Sequence, residues 1–260
     1  MIVHDGAVQG LTCPSCLITR YACIVSEPVT INFGKPIALF PLEMVALLPQ
    51  QVIPLHIFEP RYRQMVQHAL DSTGLFAMAV FAGDGWRQQY HGRPAIRPAV
   101  CVGQIVRHEA LEGGRFNILL QGVCRARVVQ ELPGSEERLY RAAMLEPMGE
   151  DEGELSLDDT LNDARSQITM MLAEGPLAKM AAAEPVLEYL RNDEIPTGAL
   201  LELVSVALAT DPSIRYQLLA EPDAKQRARV LLAELTSLER LVRLAQSQQP
   251  ENWPKGASWN

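Results

Sequence analysis

A chain of 260 residues, 48% hydrophobic and 21% charged, has the makeup of a soluble globular protein with room for one large domain or two modest ones. Its formal net charge of −8 disfavours a nucleic-acid partner, because phosphate binding draws on a surplus of Lys and Arg along one face. No apolar run reaches the roughly 20 residues of a membrane span, and no basic start precedes an apolar stretch as in a secretory signal.

The first 34 residues carry Cys13-Pro14-Ser15-Cys16, then Cys23, with His4 upstream. A Cys-x-x-Cys pair is half of a zinc site or a redox pair, and these four soft ligands match the number that zinc takes. The second pair lacks a recurring ligand spacing, and no strand–helix pattern surrounds the motif as in a thioredoxin-like site. No metal and no cofactor are therefore expected, with Cys13, Cys16 and Cys23 the weak metal candidates. An odd total of five cysteines without an export signal points to a reducing, cytoplasmic setting.

From residue 36 the pattern turns to short apolar runs, which Pro41, Pro49 and Pro54 divide into β-like pieces. Glu59-Pro60 opens a helix, since proline at the first helical position gives up an N–H that would be unpaired anyway. Tyr62, Met65, Val66, Ala69 and Leu70 recur at helical spacing and form its buried stripe. Glu59 and Arg61 are placed to pair across the helix start, where the carboxylate also meets the positive end of the helix dipole. Residues 75–81 are short and apolar throughout, as in a strand buried on both faces, and Ala82-Gly83-Asp84-Gly85 marks a turn. Residues 83–98, with Trp86, Tyr90 and two prolines, read as a surface loop. Residues 100–110 and 115–121 flank the Glu112-Gly113-Gly114 turn and make the clearest hairpin. A strand over 123–131 follows Gly122, and 139–145 is the last. Short strands meandering around one core fit a small barrel.

Residues 146–154 are acidic, hold Pro147, Gly149 and Gly153, and read as a linker. Beyond them the apolar period changes from two to about 3.6. Ser156 is placed to cap a helix that buries Leu157, Leu161, Ala164, Ile168 and Leu172 and ends at Gly175-Pro176. Residues 177–192 form a weaker helical stretch interrupted by Pro185. Residues 198–209 are apolar on nearly all sides, which marks a helix buried among others. Asp211 caps a helix beginning at Pro212, and Glu221-Pro222 repeats the device. The last helix sets Ala228, Leu231, Leu235, Leu238, Val242 and Ala245 at spacings of three and four. A seam this short more often packs within its own chain, and a dimer through it is left open.

The same residues spell no coherent catalytic constellation. His4, His56, His68, His91 and His108 form no helix-borne metal pair, and His56 is expected to satisfy a backbone group. There is no Gly-x-Ser-x-Gly elbow, and Ser156, Ser166 and Ser205 sit in helical patterns. Arg61, Arg63, Arg125 and Arg127 are the members of a local basic patch, if one exists. The expectation is that they are solvated strand and helix faces.

Two motifs carry a family resemblance. Phe40-Pro41-Leu42 and Pro54-Leu55-His56-Ile57-Phe58-Glu59-Pro60-Arg61-Tyr62-Arg63 are similar to the "LFPL … PLxIFEPRYRxMV" opening of the N-terminal, substrate-binding domain of the Lon proteases. Val102-Gly103, Ile105-Val106 and the run from Gly113 to Val123 resemble that family's "GxxxxI … DGRxxILLxGxxRxRI" hairpin. This chain has Glu-Gly-Gly where many members have Asp-Gly, and Cys124-Arg125-Ala126-Arg127 where Arg-Phe-Arg is common. Asp211-Pro212-Ser213-Ile214-Arg215-Tyr216-Gln217-Leu218-Leu219, followed by residues 228–238, resembles the helical tail, so coverage runs from about residue 36 to 245.

The resemblance implies an α+β fold, with an N-terminal β-rich, PUA-like pseudo-barrel holding one inserted helix and then a C-terminal α-helical bundle. It divides the chain into an extension over 1–34, a Lon-N-like β-domain over 35–150, a helical bundle over 151–247 and a mobile tail over 248–260. A complete Lon protease continues into an ATPase and a Ser/Lys peptidase module. Here Gly175-Pro176-Leu177-Ala178-Lys179 lacks the second glycine and the hydroxyl residue of a phosphate-cradling loop, and the chain ends at Asn260. A non-enzymatic module is expected, one that binds unfolded or exposed-hydrophobic polypeptide through an apolar patch or a free strand edge. Phe40, Leu42, Met44, Leu47 and Leu48 are the candidate contacts, each equally suited to a core. Unfolded or partly folded proteins are the expected partners, and a partner protease is left open. Competing readings are a small-ligand or degron-recognition module, as the related β-domain of cereblon-type proteins implies, and an RNA-binding barrel, which the acidic charge disfavours. An enzyme built on the N-terminal cysteines is the remaining alternative.

Because the family-like core begins near Pro36, removing residues 1–30 should leave a folded protein. A thermal scan of that truncation is expected to keep one cooperative transition; its loss would make the N-terminal cysteines structural.

Overall fold

The computed structural model describes residues 29–88, 90, 92–149 and 159–247; His4, Cys13, Cys16, Cys23, Ser156 and Leu157 lie outside them. Strands β1 (Ile37–Leu42), β2 (Val52–Ile57), β3 (Leu75–Val80), β4 (Ala99–Leu111), β5 (Arg115–Glu131) and β6 (Arg141–Pro147) form one sheet, with helix α1 (Pro60–Leu70) between β2 and β3. The strand order is β2-β5-β4-β3-β1-β6, and β6 pairs back onto β5. Five strands therefore close into a ring, and β2 stands outside it on the first half of β5. β1 and β3 run parallel, Leu39 opposite Ala77 and Leu42 opposite Val80, while every other pair is antiparallel. Pro41 lies past the β6 contact, which stops at Leu39, so its missing N–H breaks no ladder on that side.

Gly122 explains why β5 can serve two partners. Residues up to Gln121 pair with β2 and residues from Ala126 pair with β6. At the change-over, the Gly122 N–H donates to Gln51 O at 2.8 Å and Gln50 N–H donates to Gly122 O at 2.9 Å. A Cβ on Gly122 would collide with the Leu48 carbonyl oxygen, so only glycine admits the loop at this distance. The sequence pattern divides this stretch into two strands, yet it is one strand of 17 residues. The last strand likewise begins two residues later than its apolar run suggests, at Arg141.

Five helices follow: α2 (Asp159–Glu174), α3 (Ala183–Leu190), α4 (Thr197–Leu208), α5 (Pro212–Ala220) and α6 (Ala224–Ser247). Leu161, Ala164, Ile168 and Leu172 of α2 are buried with Leu231 and Leu235 of α6, in a cluster that continues into Phe40, Met65 and Phe76 of the β part. Asp211 caps α5, its Oδ1 accepting from the N–H of Ser213 at 2.7 Å and of Ile214 at 3.2 Å. The cap of α6 is Asp223, which accepts from Lys225 N–H at 2.7 Å, rather than Glu221. Glu221 instead accepts from the Asp223 N–H at 3.0 Å and braces the cap from outside. Along α6, Ala228 is buried like Leu231 and Leu235, Leu238 and Val242 are half-buried, and Ala245 is exposed. No helix of the described residues is long and apolar enough to cross a membrane.

Helix α4 holds the main surprise. Its apolar sequence also buries Glu202, and the side chain of Arg125 on β5 is buried against it rather than solvated. Arg125 Nη2 donates to Glu202 Oε2 at 2.8 Å and its Nε donates to the Leu218 carbonyl at 3.2 Å. Arg227 of α6 closes on the other carboxylate oxygen at 3.2 Å. Burial alone pushes the Glu202 carboxyl up, but the two guanidiniums overcome it and hold the group below the usual carboxylate range. Tyr216 of α5 adds a second link, its hydroxyl accepting from the Ala99 N–H at 3.1 Å while Arg97 stacks over its ring. Arg127 differs from Arg125, being exposed in an ion pair with Glu146.

Removing one partner of a buried ion cluster leaves charge without compensation, so Glu202→Ala should cost about 3–5 kcal/mol in denaturant unfolding. The sign of the pH effect follows from the lowered carboxyl. Its contribution is full above the ordinary value of 4.5 and is lost as pH falls below it towards the folded-state value. Acid titration of stability should therefore be shallower in Glu202→Ala than in the parent chain.

Candidate functional site

Beyond the ring, the chain builds a three-stranded antiparallel arm. Ladder contact between β3 and β4 stops at Gln104 and the Ile105 N–H still donates to the Gly74 carbonyl at 2.8 Å, so the outer part of β4, residues 107–111, pairs only with β5. β2 pairs with the opposite side of β5, Val52 facing Gln121 and Ile57 facing Phe116. One face of the arm is core, since Ile57, Phe116, Ile118 and Leu120 are buried with Met65 and Val66 of α1. The hairpin turn needs glycine because Gly113 and Gly114 take φ of 72° and 70°. Arg63 of α1 donates to the Gly114 carbonyl at 2.8 Å and ties the tip down.

The other face is open. Pro54, His56, Arg107, Glu109, Asn117 and Leu119 line a shallow groove of about 640 Å³ across all three strands. A polar ladder crosses its floor, with His56 Nδ1 2.8 Å from Asn117 Oδ1 and Asn117 Nδ2 donating to Glu109 Oε2 at 3.2 Å. His56 thus meets a side chain, not the backbone group expected of it. Phe58, 60% exposed, stacks on His56 at 6.1 Å. Both edges of the arm lack a strand partner among the described residues. β2 is blunted by Pro54, which has no N–H to offer. The β4 edge carries no proline, and its Arg107, His108 and Glu109 are exposed.

A second concavity, of about 670 Å³, lies between the start of α1 and the loop joining β5 to β6. Arg61, Arg93, Arg138 and Arg141 line it, with Glu59, Tyr62, Leu139 and Tyr140. Arg61 lies 4.6 Å from the centroids of both Tyr62 and Tyr90 and pairs with Glu59 at 3.0 Å, as its sequence position suggests. Arg141 donates twice to Glu131, at 3.0 and 2.5 Å, and once to the Pro94 carbonyl. Burial raises the Tyr90 hydroxyl above its ordinary range, and its 2.5 Å hydrogen bond to Glu59 adds to the effect. Both tyrosines remain protonated at neutral pH, since burial likewise drives Tyr62 upward.

The five apolar residues named from the sequence do not form one surface. Phe40 is buried, edge-on to Tyr62 at 4.5 Å, and Leu47 and Leu48 are fully buried where the β1–β2 loop dips into the core. Leu42 is half-buried, and Met44 is 60% exposed with φ of 54°. The hydrogen bonds between this loop and Gly122 explain the difference, because they draw Leu47 and Leu48 under β5. Asn117 and Glu109 escape a sequence reading altogether, since only strand register brings them beside His56. Among the described residues, no three His, Cys, Asp or Glu side chains gather as metal ligands.

The open three-stranded face, with a groove across it, stands on a closed ring of strands packed against helices. The description of the ATP-dependent protease La (LON) substrate-binding domain matches residues 36–237, and the chain belongs to that family. Among solved structures it is similar to the N-terminal domain of the Mycobacterium avium complex Lon protease. That match has 17% identity and a TM-score of 0.57, and covers 78% of this chain and 98% of the other. It is also similar to a Lon N-terminal domain protein from Xanthomonas campestris, at 21% identity and a TM-score of 0.54, over 76% and 98% of the two chains. A comparison with curated proteins gives no match. The family's domain is a non-catalytic, substrate-binding one, and the mixed α/β fold of this chain, with a six-stranded sheet and six helices among the described residues, is similar to that of the Lon N-terminal domains.

The ladder on the arm joins exposed groups, which water solvates almost as well. Asn117→Ala should therefore lower stability by no more than about 1 kcal/mol. Denaturant unfolding of the variant against the parent chain checks this.

Proposed function

We propose that this chain is a polypeptide-binding module that engages unfolded or exposed-hydrophobic segments along the open face and edge of the arm. The closed ring is read as a PUA-like pseudo-barrel and α2–α6 as a helical bundle packed on it. One observation carries the reading: the outer half of β4 presents an edge with no partner strand among the described residues, next to an open-face groove lined by Pro54, His56, Asn117 and Leu119. An incoming strand would gain backbone hydrogen bonds at that edge, while the groove receives alternate side chains. Phe58 and Val52, both exposed, widen the apolar contact. Of the five residues named from the sequence, Met44 is exposed enough to contribute, and Phe40, Leu47 and Leu48 support the loop from the core. Proteins with unfolded stretches are the partners that fit, with a cytoplasmic protease as the natural consumer of such a complex.

Calorimetric titration of an unfolded model protein into the full chain tests the proposal. Apolar burial should appear as a negative heat-capacity change with little loss of affinity at high salt. Phe58→Ala combined with Leu119→Glu should weaken binding about tenfold or more with the thermal midpoint kept. Parent-like affinity in that variant would remove the arm from the site. Binding confined to RNA, with a steep salt dependence, would replace the polypeptide reading with a nucleic-acid one.

A further inference from the structure

We propose that the groove between the start of α1 and the β5–β6 loop is a carboxylate site, which takes an acidic side chain or a chain terminus of a bound polypeptide. The inference rests on the polypeptide reading above but concerns a different surface. Its first support is charge. Among the described residues, Arg61, Arg93, Arg138 and Arg141 meet only Glu59 and Glu131, so four guanidiniums face two carboxylates and two positive charges are left over. Glu136 and Glu137 belong to the same loop but are exposed and do not line the groove. Such a surplus on a chain of net charge −8 is opposite to what composition favours.

The second support is unused hydrogen-bonding capacity. Arg61 Nη2 and Arg138 Nε are both buried without a hydrogen-bond acceptor, and both belong to residues that line this groove. Arg61 Nη2 is 3.0 Å from Glu59 Oε2, close enough for charge attraction but without an aligned N–H. A buried donor left unpaired is costly, and two in one concavity mark where an acceptor is missing. No other buried side-chain nitrogen or oxygen among the described residues is left in this state.

The third support is rigidity. Arg61 is held between two tyrosine rings, Arg141 is held by Glu131 and Pro94, and Arg93 donates to the Leu132 carbonyl at 2.6 Å. Arg138 is anchored through Nη2 on the Pro133 carbonyl at 2.8 Å, which leaves its Nε available. Guanidiniums fixed in this way lose little freedom when they bind, and their planar forks match a carboxylate. Leu139, 56% exposed, and Tyr140 give the groove an apolar wall for the chain that carries the acid. One local cluster with a surplus of two positive charges suits one or two carboxylates better than the repeating phosphates of a nucleic acid.

Fluorescence anisotropy with three labelled peptides on one apolar sequence tests this in the full chain. The first is amidated and uncharged, the second is amidated and carries two glutamates, and the third has a free C-terminal carboxylate but no acidic side chain. The second or third should bind about tenfold more tightly than the first, with the gain shrinking at high salt; which of them gains identifies the source of the carboxylate. Arg138→Gln and, separately, Arg93→Gln should remove the gain and leave the uncharged peptide's affinity unchanged. Arg87→Gln, at an exposed arginine outside the groove, should leave the gain intact. Equal binding of all three peptides would overturn the carboxylate site and leave the arm proposal standing. No binding of any peptide, or binding of an oligoribonucleotide instead, would overturn both.

Discussion

Arg125 leaves β5 to place its guanidinium where water does not reach, and the Glu202 carboxylate answers its charge there from α4. Arg227, from α6, meets the same carboxylate, so three elements far apart in sequence converge on one buried charge cluster. Desolvating three ionic groups is unfavourable unless each finds its partner, which makes the arrangement selective for one docking of helices on strands. The apolar contacts around it supply most of the favourable free energy but tolerate sliding, as apolar contacts do. Charge pairing at a single point removes that freedom.

With the helices docked, the β part is closed on itself wherever β6 reaches β5. Closure pairs the strands around the ring, and among the described residues the arm is where strand edges stay open. Two devices keep the arm from pairing indiscriminately: Pro54 on one edge and the charged Arg107–Glu109 stretch on the other. An edge guarded by charge, not by proline, keeps its backbone N–H groups, so in the proposed role it can still accept a strand whose side chains complement it. Gly122 links this arrangement to the core, because the same close approach that lets the β1–β2 loop cross β5 also buries Leu47 and Leu48.

Much of this was legible along the chain. The Pro60 start of α1, the glycine turn at 112–114, the Asp211 cap and the buried stripe of α2 all depend on residues within a few positions of one another, and local rules read them correctly. The candidate contacts fared differently. Phe40, Leu47 and Leu48 look the same in sequence whether they face solvent or core, since hydrophobicity says only that a residue prefers burial. Likewise, Arg125 and Arg127 are two residues apart with the same side chain, yet one is buried and one exposed. The difference comes from which of them α4 and α6 happen to cover.

Local residue patterns carried the family resemblance, the succession of β and helical segments, and the starts of the helices at Pro60 and Pro212, because caps, turns and periodicity act over a few residues. Only the tertiary structure decided which arginines carry buried charge, which apolar residues remain exposed, and that His56, Asn117 and Glu109 share one face. The same holds for the groove, where Arg61, Arg93 and the Arg138–Arg141 run are drawn from three separate segments. Their common address depends on the closure of β6 onto β5 and on the loop between them, long-range contacts that no local pattern encodes.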